Sequence, residues 1–481
     1  MKHIYHLFIF IAFSYLFSGC GVTTNPVNPT PVNPTLPSNT TFVPASFKSL
    51  RIKNANVVIR KGTTTGYYIT KGINVDATNE YRQYIKINSE VFEYEPIVNG
   101  FLSTPTITLI MSNLSNIYAY EFGKVVIYDE FTVADMQITT QQNSKVDFKA
   151  NITANSFNFL GRNFGDLTME NLEVRTLTKI DVSKNVNLIL NGNLVSENLN
   201  ITSRDFGDIT INKSLLISKE FKIDLTSNVD FLVQGDIKAN TFLPVMGAFA
   251  SINAQNFRVE QNFTLNLHSN TDFKIKNTIT TPNGFIVNLR DFAEITANTL
   301  TNSQNLIIDM ADNSDFKINN ITVANLTVAM RDFAEIVANN LIAQKIVCDM
   351  RSNADFKVIT LKASDMSYQV TNFSRLNIAN INNTNLTKIV FADNSTVNLK
   401  GKTTTLDIES TATKETDFYL LNAENVIVKS YSNTFLTSHL KIFASKSIDA
   451  TISNKWNIYY KGSPSTIKTN YTSTGRLINA N

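Results

Sequence analysis

Two cysteines in 481 residues, Cys20 and Cys348, are too few for a disulfide framework, and no zinc-ligand spacing surrounds them. A dominant charge is missing as well. The 43 Lys and Arg against 40 Asp and Glu leave a formal +3, which gives no electrostatic footprint for nucleic acid or a strongly acidic partner. No Gly-rich phosphate loop or nucleophile motif appears. Nor is there an apolar run of the ~20 residues that a spanning helix needs. What remains is a chain that is 43% hydrophobic and 17% charged, long enough to bury a large core.

The nearest approach to a membrane segment is "MKHIYHLFIFIAFSYLFSGC", with Lys2 in front, an apolar stretch from Ile4 to Phe17, and small residues before Cys20. Leu16-Phe17-Ser18-Gly19-Cys20 resembles the bacterial lipobox, in which cleavage before the cysteine leaves a diacylated thioether. Residues 1–19 are therefore expected to be a signal peptide and Cys20 the lipid attachment site. An ordinary secretory signal with an incidental cysteine is the alternative. Residues 20–45 are read as a tether, because residues 21–42 within them hold five of the eleven prolines and almost no charge, a composition that favours extended polyproline II. Gly21 after the cysteine is compatible with outer-membrane delivery.

The hexapeptide RDFAEI occurs at Arg290–Ile295 and again at Arg331–Ile336. Extending that register gives an apolar position at Val125, Phe148, Leu167, Leu188, Ile209, Phe231, Ile252, Phe273, Ile295, Phe316, Ile336, Phe356, Leu376 and Val397, with gaps of 19 to 23 residues. A period of this size means a solenoid. Segments such as "LIIDM", "LTVAM" and "FIVNL" alternate inward and outward residues, so the coil is built from strands rather than helices. The expected fold is all-β, a single-stranded parallel β-helix with coils of about 21 residues.

Three residues before each apolar position stand Phe122, Lys145, Phe164, Asn185, Phe206, Asn228, Phe249, Asn270, Phe292, Asn313, Phe333, Asn353, Phe373 and Asn394. Phenylalanine alternates with asparagine, with one exception. The expectation is a packing exchange: the ring moves between the corner and the core in alternate coils, keeping interior volume constant. Asn suits a left-handed corner, and small residues after each Phe suit close backbone approach.

These residues resemble the putative autotransporter-adhesin head domain family of the GIN type. That family repeats a Ser-Gly-Ser-Gly-Asp-apolar corner, matched here by "RSNADF", "ADNSDF", "HSNTDF" and "TSNVDF", with Phe or Asn in place of a glycine. The opening "SFKSLRIKNANVVIRKG" and the tail "NIYYKGSPSTIKTNYTSTGRL" are also similar. The resemblance, over roughly residues 46 to 478, implies a β-solenoid and an envelope location.

Candidate chemistry is sparse. An acidic row precedes the core position: Asp147, Asp166, Asp208, Asp230, Asp272, Glu294, Asp315, Glu335 and Asp355. Stacked carboxylates could hold calcium. However, Arg162, Arg204, Arg290, Arg331 and Arg351 stand four residues earlier, and Lys149, Lys274, Lys317 and Lys357 two later, so a charge-balanced solvated face is preferred and no metal or cofactor is expected. A carbohydrate-active enzyme would need paired acids beside a wall, and near-constant coil lengths give no sign of a cleft. His268 reads as a solvent-facing substitute for arginine, and Cys348 as a buried small hydrophobe. Trp456, Tyr459 and Tyr460 cluster near a tip, where a terminal cap is the preferred reading and a candidate binding patch for sugar rings the alternative.

The chain is thus divided into 1–19 signal peptide, 20–45 lipidated tether, 46–120 amino-terminal β region and cap, 121–400 regular solenoid, and 401–481 less regular coils and carboxyl-terminal cap. The expected function is a non-catalytic, lipid-anchored, adhesin-like surface protein binding a host, matrix or cell-surface glycan or protein. A periplasm-facing scaffold lipoprotein is the alternative, and a carbohydrate-active β-helix enzyme the remoter one.

Overall fold

The computed structural model describes residues 41–481 except 71–80, 97–103, 412–414, 432–437, 454 and 473. The signal peptide and almost the whole tether, including Cys20, lie outside the described residues. Thr41–Asn481 forms one compact unit, in which the described residues make thirty-six strands of a β-solenoid.

Each coil in the first half has a short strand and a long one, for example Asp166–Met169 followed by Leu172–Ser183. The long strand is bent: its register to the neighbouring coil slips at Ala154/Ser156 and again at Val174/Leu177. Two straight halves and the short strand give three faces around one core. Further along, the strands run together, and Glu294–Met310 spans a nearly complete coil. Alternation sets what is inside, since the side chains of a strand point to opposite faces. Phe131–Gln141, FTVADMQITTQ, buries Phe131, Val133, Met136 and Ile138 while exposing Thr132, Ala134, Asp135 and Gln137.

The ladders confirm the repeat and correct its register at one point. Val125 pairs with Val146, and Val146 with Leu167, so Val146 rather than Phe148 holds that column position, while Phe148, equally buried, stacks on Ile127. From there the column runs as read, through Leu188, Ile209, Phe231, Ile252, Phe273, Ile295, Phe316, Ile336, Phe356, Leu376 and Val397. With Val146 in place, the gaps narrow to 20–22 residues. Cys348 stacks between Val328 and Tyr368 and is buried, as its slot requires. That burial pushes its thiol well above the usual range.

Chain order and stacking order part at the amino-terminal end. Ser49–Lys53 lies between Val91–Tyr94 and Asn116–Tyr120, and Asn56–Lys61 lies between Thr106–Met111 and Lys124–Ile127. The outermost coil is therefore built from Val91–Tyr94 and Thr106–Met111. Antiparallel strands flank it: Gly66–Thr70 pairs with Thr106–Met111, Val43–Pro44 pairs with Gly66–Thr70, and Ile85–Asn88 pairs with Val91–Tyr94. Reversing direction at the edge blunts the row of open N–H and C=O groups that a parallel stack would present. The carboxyl-terminal end differs, for Thr466–Tyr471 is exposed along its whole length.

Candidate functional site: an outer row of phenylalanines

Every corner from Phe122 to Phe373 has two consecutive residues in the left-handed conformation. The second has φ of 62–65° where it is Phe and 58–65° where it is Asn. In the coil of Val146 that residue is Asn143, not Lys145. The alternation from Phe122 to Phe373 therefore has no exception. Each corner N–H is satisfied in the same way: Phe164 N donates to Lys184 O, Asn185 N to Asp205 O, Phe206 N to Ser227 O, and so on up the stack. The residue after each corner Phe is small because the neighbouring backbone is close. A Cβ on Gly165 would stand 2.4 Å from the carbonyl carbon of Thr140.

The packing exchange expected between corner and core does not occur. Phe122, Phe164, Phe206, Phe249, Phe292, Phe333 and Phe373 point outward and are 54–61% exposed. The core phenylalanines Phe231, Phe273, Phe316 and Phe356 are 0% exposed. The two sets never share a volume. Left-handed geometry turns the corner side chain away from the interior, so a ring placed there cannot fill the core whatever the next coil carries.

Seven rings thus stand in one line, on alternate coils, roughly 9–10 Å apart at the usual strand spacing. A left-handed conformation is strained for a bulky residue, and Asn meets the corner's needs in the intervening coils. Exposed apolar area arranged contiguously and in a costly backbone conformation points to contact with something else rather than to folding. Sequence reading found this row by its periodicity and misjudged which way it faced.

The acidic row behaves as a balanced face. Lys274 bridges Asp272 at 2.7 Å and Glu294 at 3.7 Å; Lys317 bridges Asp315 at 2.7 Å and Glu294 at 3.4 Å. Lys357 spans Glu335 at 2.6 Å and Asp355 at 3.0 Å, and those two bonds hold its ammonium above the usual lysine range. Asp147 and Lys149 pair with each other at 2.7 Å, but the corrected register places Asp147 beside Thr168 and outside the row. Four of the arginines serve a different set of acids: Arg162 binds Asp181, Arg290 and Arg331 both bind Asp309, and Arg351 binds Asp349.

The tip aromatics do not form an exposed patch. Trp456 is 0% exposed, beneath the last coil, with Ile458 beside it facing the same way. Tyr460 packs against the core, and Tyr459 lies 5.7 Å from the His439 ring. Alternation within one strand separates residues 456 and 459 onto opposite faces. His268 is exposed and lies 3.0 Å from the Ser269 hydroxyl.

One concavity was not foreseen from coil length. Asp236–Gly247 ladders onto the preceding coil along its whole course, but onto the following one only up to Ala239. Pro244, which has no N–H, lies in the part without a following ladder. A groove of about 530 Å³ opens there, lined by Phe242, Leu243, Val245, Phe263, Phe285 and Ile286 among others. No Asp, Glu, His or Cys lines it.

The relationship to known proteins follows from the coil pattern. Residues 341–464 match the domain described as Putative auto-transporter adhesin, head GIN domain. The GIN-domain match covers about a quarter of the chain and includes the last outer ring, Phe373. No curated protein matches the sequence. Among solved structures, a putative adhesin from Parabacteroides merdae is similar at 8% identity and TM-score 0.25, over 62% of this chain and 95% of its own. A putative adhesin from Bacteroides fragilis is similar at 11% identity and TM-score 0.26, over the same shares. At those scores no shared chemistry follows.

Proposed function

We propose that this protein is an exported, lipid-anchored, non-catalytic adhesin-like protein whose outer phenylalanine row is its contact surface. The observation that carries the reading is the row itself: seven exposed rings in a strained conformation that the fold does not need. The GIN-domain match over residues 341–464 supports an adhesin-like role. The lipobox-like run ending at Cys20 and the proline-rich stretch after it support anchoring and display away from a membrane. A groove lined mainly by apolar side chains and amides favours binding over hydrolysis by paired acids.

The test is proteolysis of intact cells carrying an epitope after Asn481, with an inner-envelope protein as the control for closed cells. Loss of the epitope is the expected result. Protection that ends only on lysis overturns the surface reading in favour of a periplasm-facing scaffold.

A further inference from the structure

We infer that the partner of the phenylalanine row is the same row on a second copy of this chain, running antiparallel and offset by one coil. The inference rests on the contact-surface reading above and deepens it. A ligand for this row must repeat every two coils, with a bulge facing each Asn corner and a gap facing each ring. A second copy has that repeat by construction, since Phe and Asn alternate without exception from Phe122 to Phe373.

Symmetry then fixes the direction. A closed dimer is two-fold symmetric, with the same patch on both copies. Parallel stacks related by a two-fold along their length put ring level with ring, which leaves the Asn gaps empty. An axis perpendicular to the stack, passing between two adjacent coils, puts every ring level with an Asn. With that axis between the Asn228 and Phe249 corners, Phe206 is level with Asn270 of the second copy, Phe164 with Asn313 and Phe122 with Asn353, and the reciprocal pairs follow. Six of the seven rings interlock. At somewhat over half of the ~200 Å² of an aromatic side chain each, they present roughly 700 Å² per copy, close to the ~800 Å² per partner of a stable interface.

Charge selects this register. Lys184 stands before Asn185 and Asp291 before Phe292, both are exposed, and the axis above sets Lys184 level with Asp291 of the second copy. Among the described residues neither side chain is in a salt bridge, the ion pairs nearest to them in sequence being Arg162–Asp181 and Arg290–Asp309. Moving the axis by one coil sets Asp205 or Glu121 against Asp312 instead. Antiparallel pairing also has a consequence for adhesion. Val43–Pro44 lies at the capped end of the stack, so paired copies enter from opposite ends, as chains anchored on two facing surfaces do and chains on one surface do not.

The test is sedimentation velocity on Thr41–Asn481, the compact unit that holds the described core. The expected result is a concentration-dependent dimer, weakened at least about tenfold by Phe206→Asn, Phe249→Asn and Phe292→Asn together. Asn is the residue these corners already carry in alternate coils, so the variant keeps the fold, which circular dichroism checks. Asp291→Lys alone weakens the dimer, and Lys184→Asp with Asp291→Lys restores it. A monomer at about 100 μM, or a dimer indifferent to the triple change, overturns the inference; failure of the charge swap to restore overturns the antiparallel register. Two differently labelled cell populations carrying the full chain should co-aggregate only when both keep the rings. Epitope loss in the protease experiment alongside a monomeric unit would sink the homotypic partner and leave the adhesin reading standing.

Discussion

Two rows of phenylalanine run along this molecule, three residues apart in sequence, and only one of them holds it together. The inner rings, Phe231, Phe273, Phe316 and Phe356, fall in the coils whose corner is Asn, are fully buried, and belong to a core that is continuous from Phe47 to Ile458. The outer rings, Phe122 to Phe373, fall in the coils between and lie in solvent. In sequence the two rows look like one residue moving between two slots. In three dimensions the first slot serves packing, whereas the second strains the backbone and leaves apolar area uncovered. The difference separates what the fold requires from what the surface is for.

The largest expected effect comes from exchanging the treatment of the two rows. Phe316→Ala removes a ring from a close-packed layer and is expected to cost about 3–5 kcal/mol. Phe292→Ala removes a ring from solvent and is expected to change stability by no more than about 0.5 kcal/mol. Urea midpoints followed by circular dichroism compare them directly. Because stability in a solenoid is distributed among neighbouring coils, local hydrogen exchange around residues 295–336 is the finer readout. Equal losses from both changes would mean that the outer rings are structural.

A smaller effect of opposite sign sharpens the contrast. Phe292→Asn replaces a ring at φ 63° with a residue that tolerates that conformation, and is expected to stabilise the coil by about 1 kcal/mol. The same change is expected to weaken association. Stability rising while binding falls marks a residue held for contact. A lowered urea midpoint would return the ring to a structural role.

The periodicity made most of the fold legible. Inward residues repeat every 20–22 positions, and nothing but stacked strands satisfies that period together with local alternation. The corner's left-handed geometry was legible from Asn, and the small residue after each Phe from the close backbone approach. The direction of the corner Phe was not, because volume arguments assume that an apolar residue in a repeat lies inside, and backbone conformation overrides that assumption here. The Lys145 exception came from choosing Phe148 as the most core-like residue of its coil, when the ladder chose the smaller Val146. Burial of Trp456 fits the terminal cap rather than the candidate binding patch: its strand alternation turns it inward. The antiparallel cap formed by Gly66–Thr70 has no repeat to betray it. The groove at Pro244 needed only a missing N–H, a signal visible in the sequence but silent about which ladder it would interrupt.

The smallest effect lies between the two rows, where the acids stand. Downstream, Lys274, Lys317 and Lys357 neutralise Asp272 to Asp355, but Asp208 is followed two residues later by Thr210, not by a lysine. Its carboxyl is raised above the usual range by burial first and by Asp230 in the next coil last, against a bond from the Asp230 N–H that lowers it. A carboxyl raised on folding prefers its protonated form in the native state. Its contribution is therefore most favourable at low pH and is lost as pH rises from the unfolded value of ~3.9 through the folded one. Asp208→Asn should accordingly raise the urea midpoint slightly at pH 7, and the gain should disappear below about pH 4. A gain that persisted there would assign the effect to packing around the amide rather than to an ionised acid, and the same measurement on Asp272→Asn, which would leave Lys274 only its 3.7 Å contact to Glu294, should show a loss at pH 7 instead.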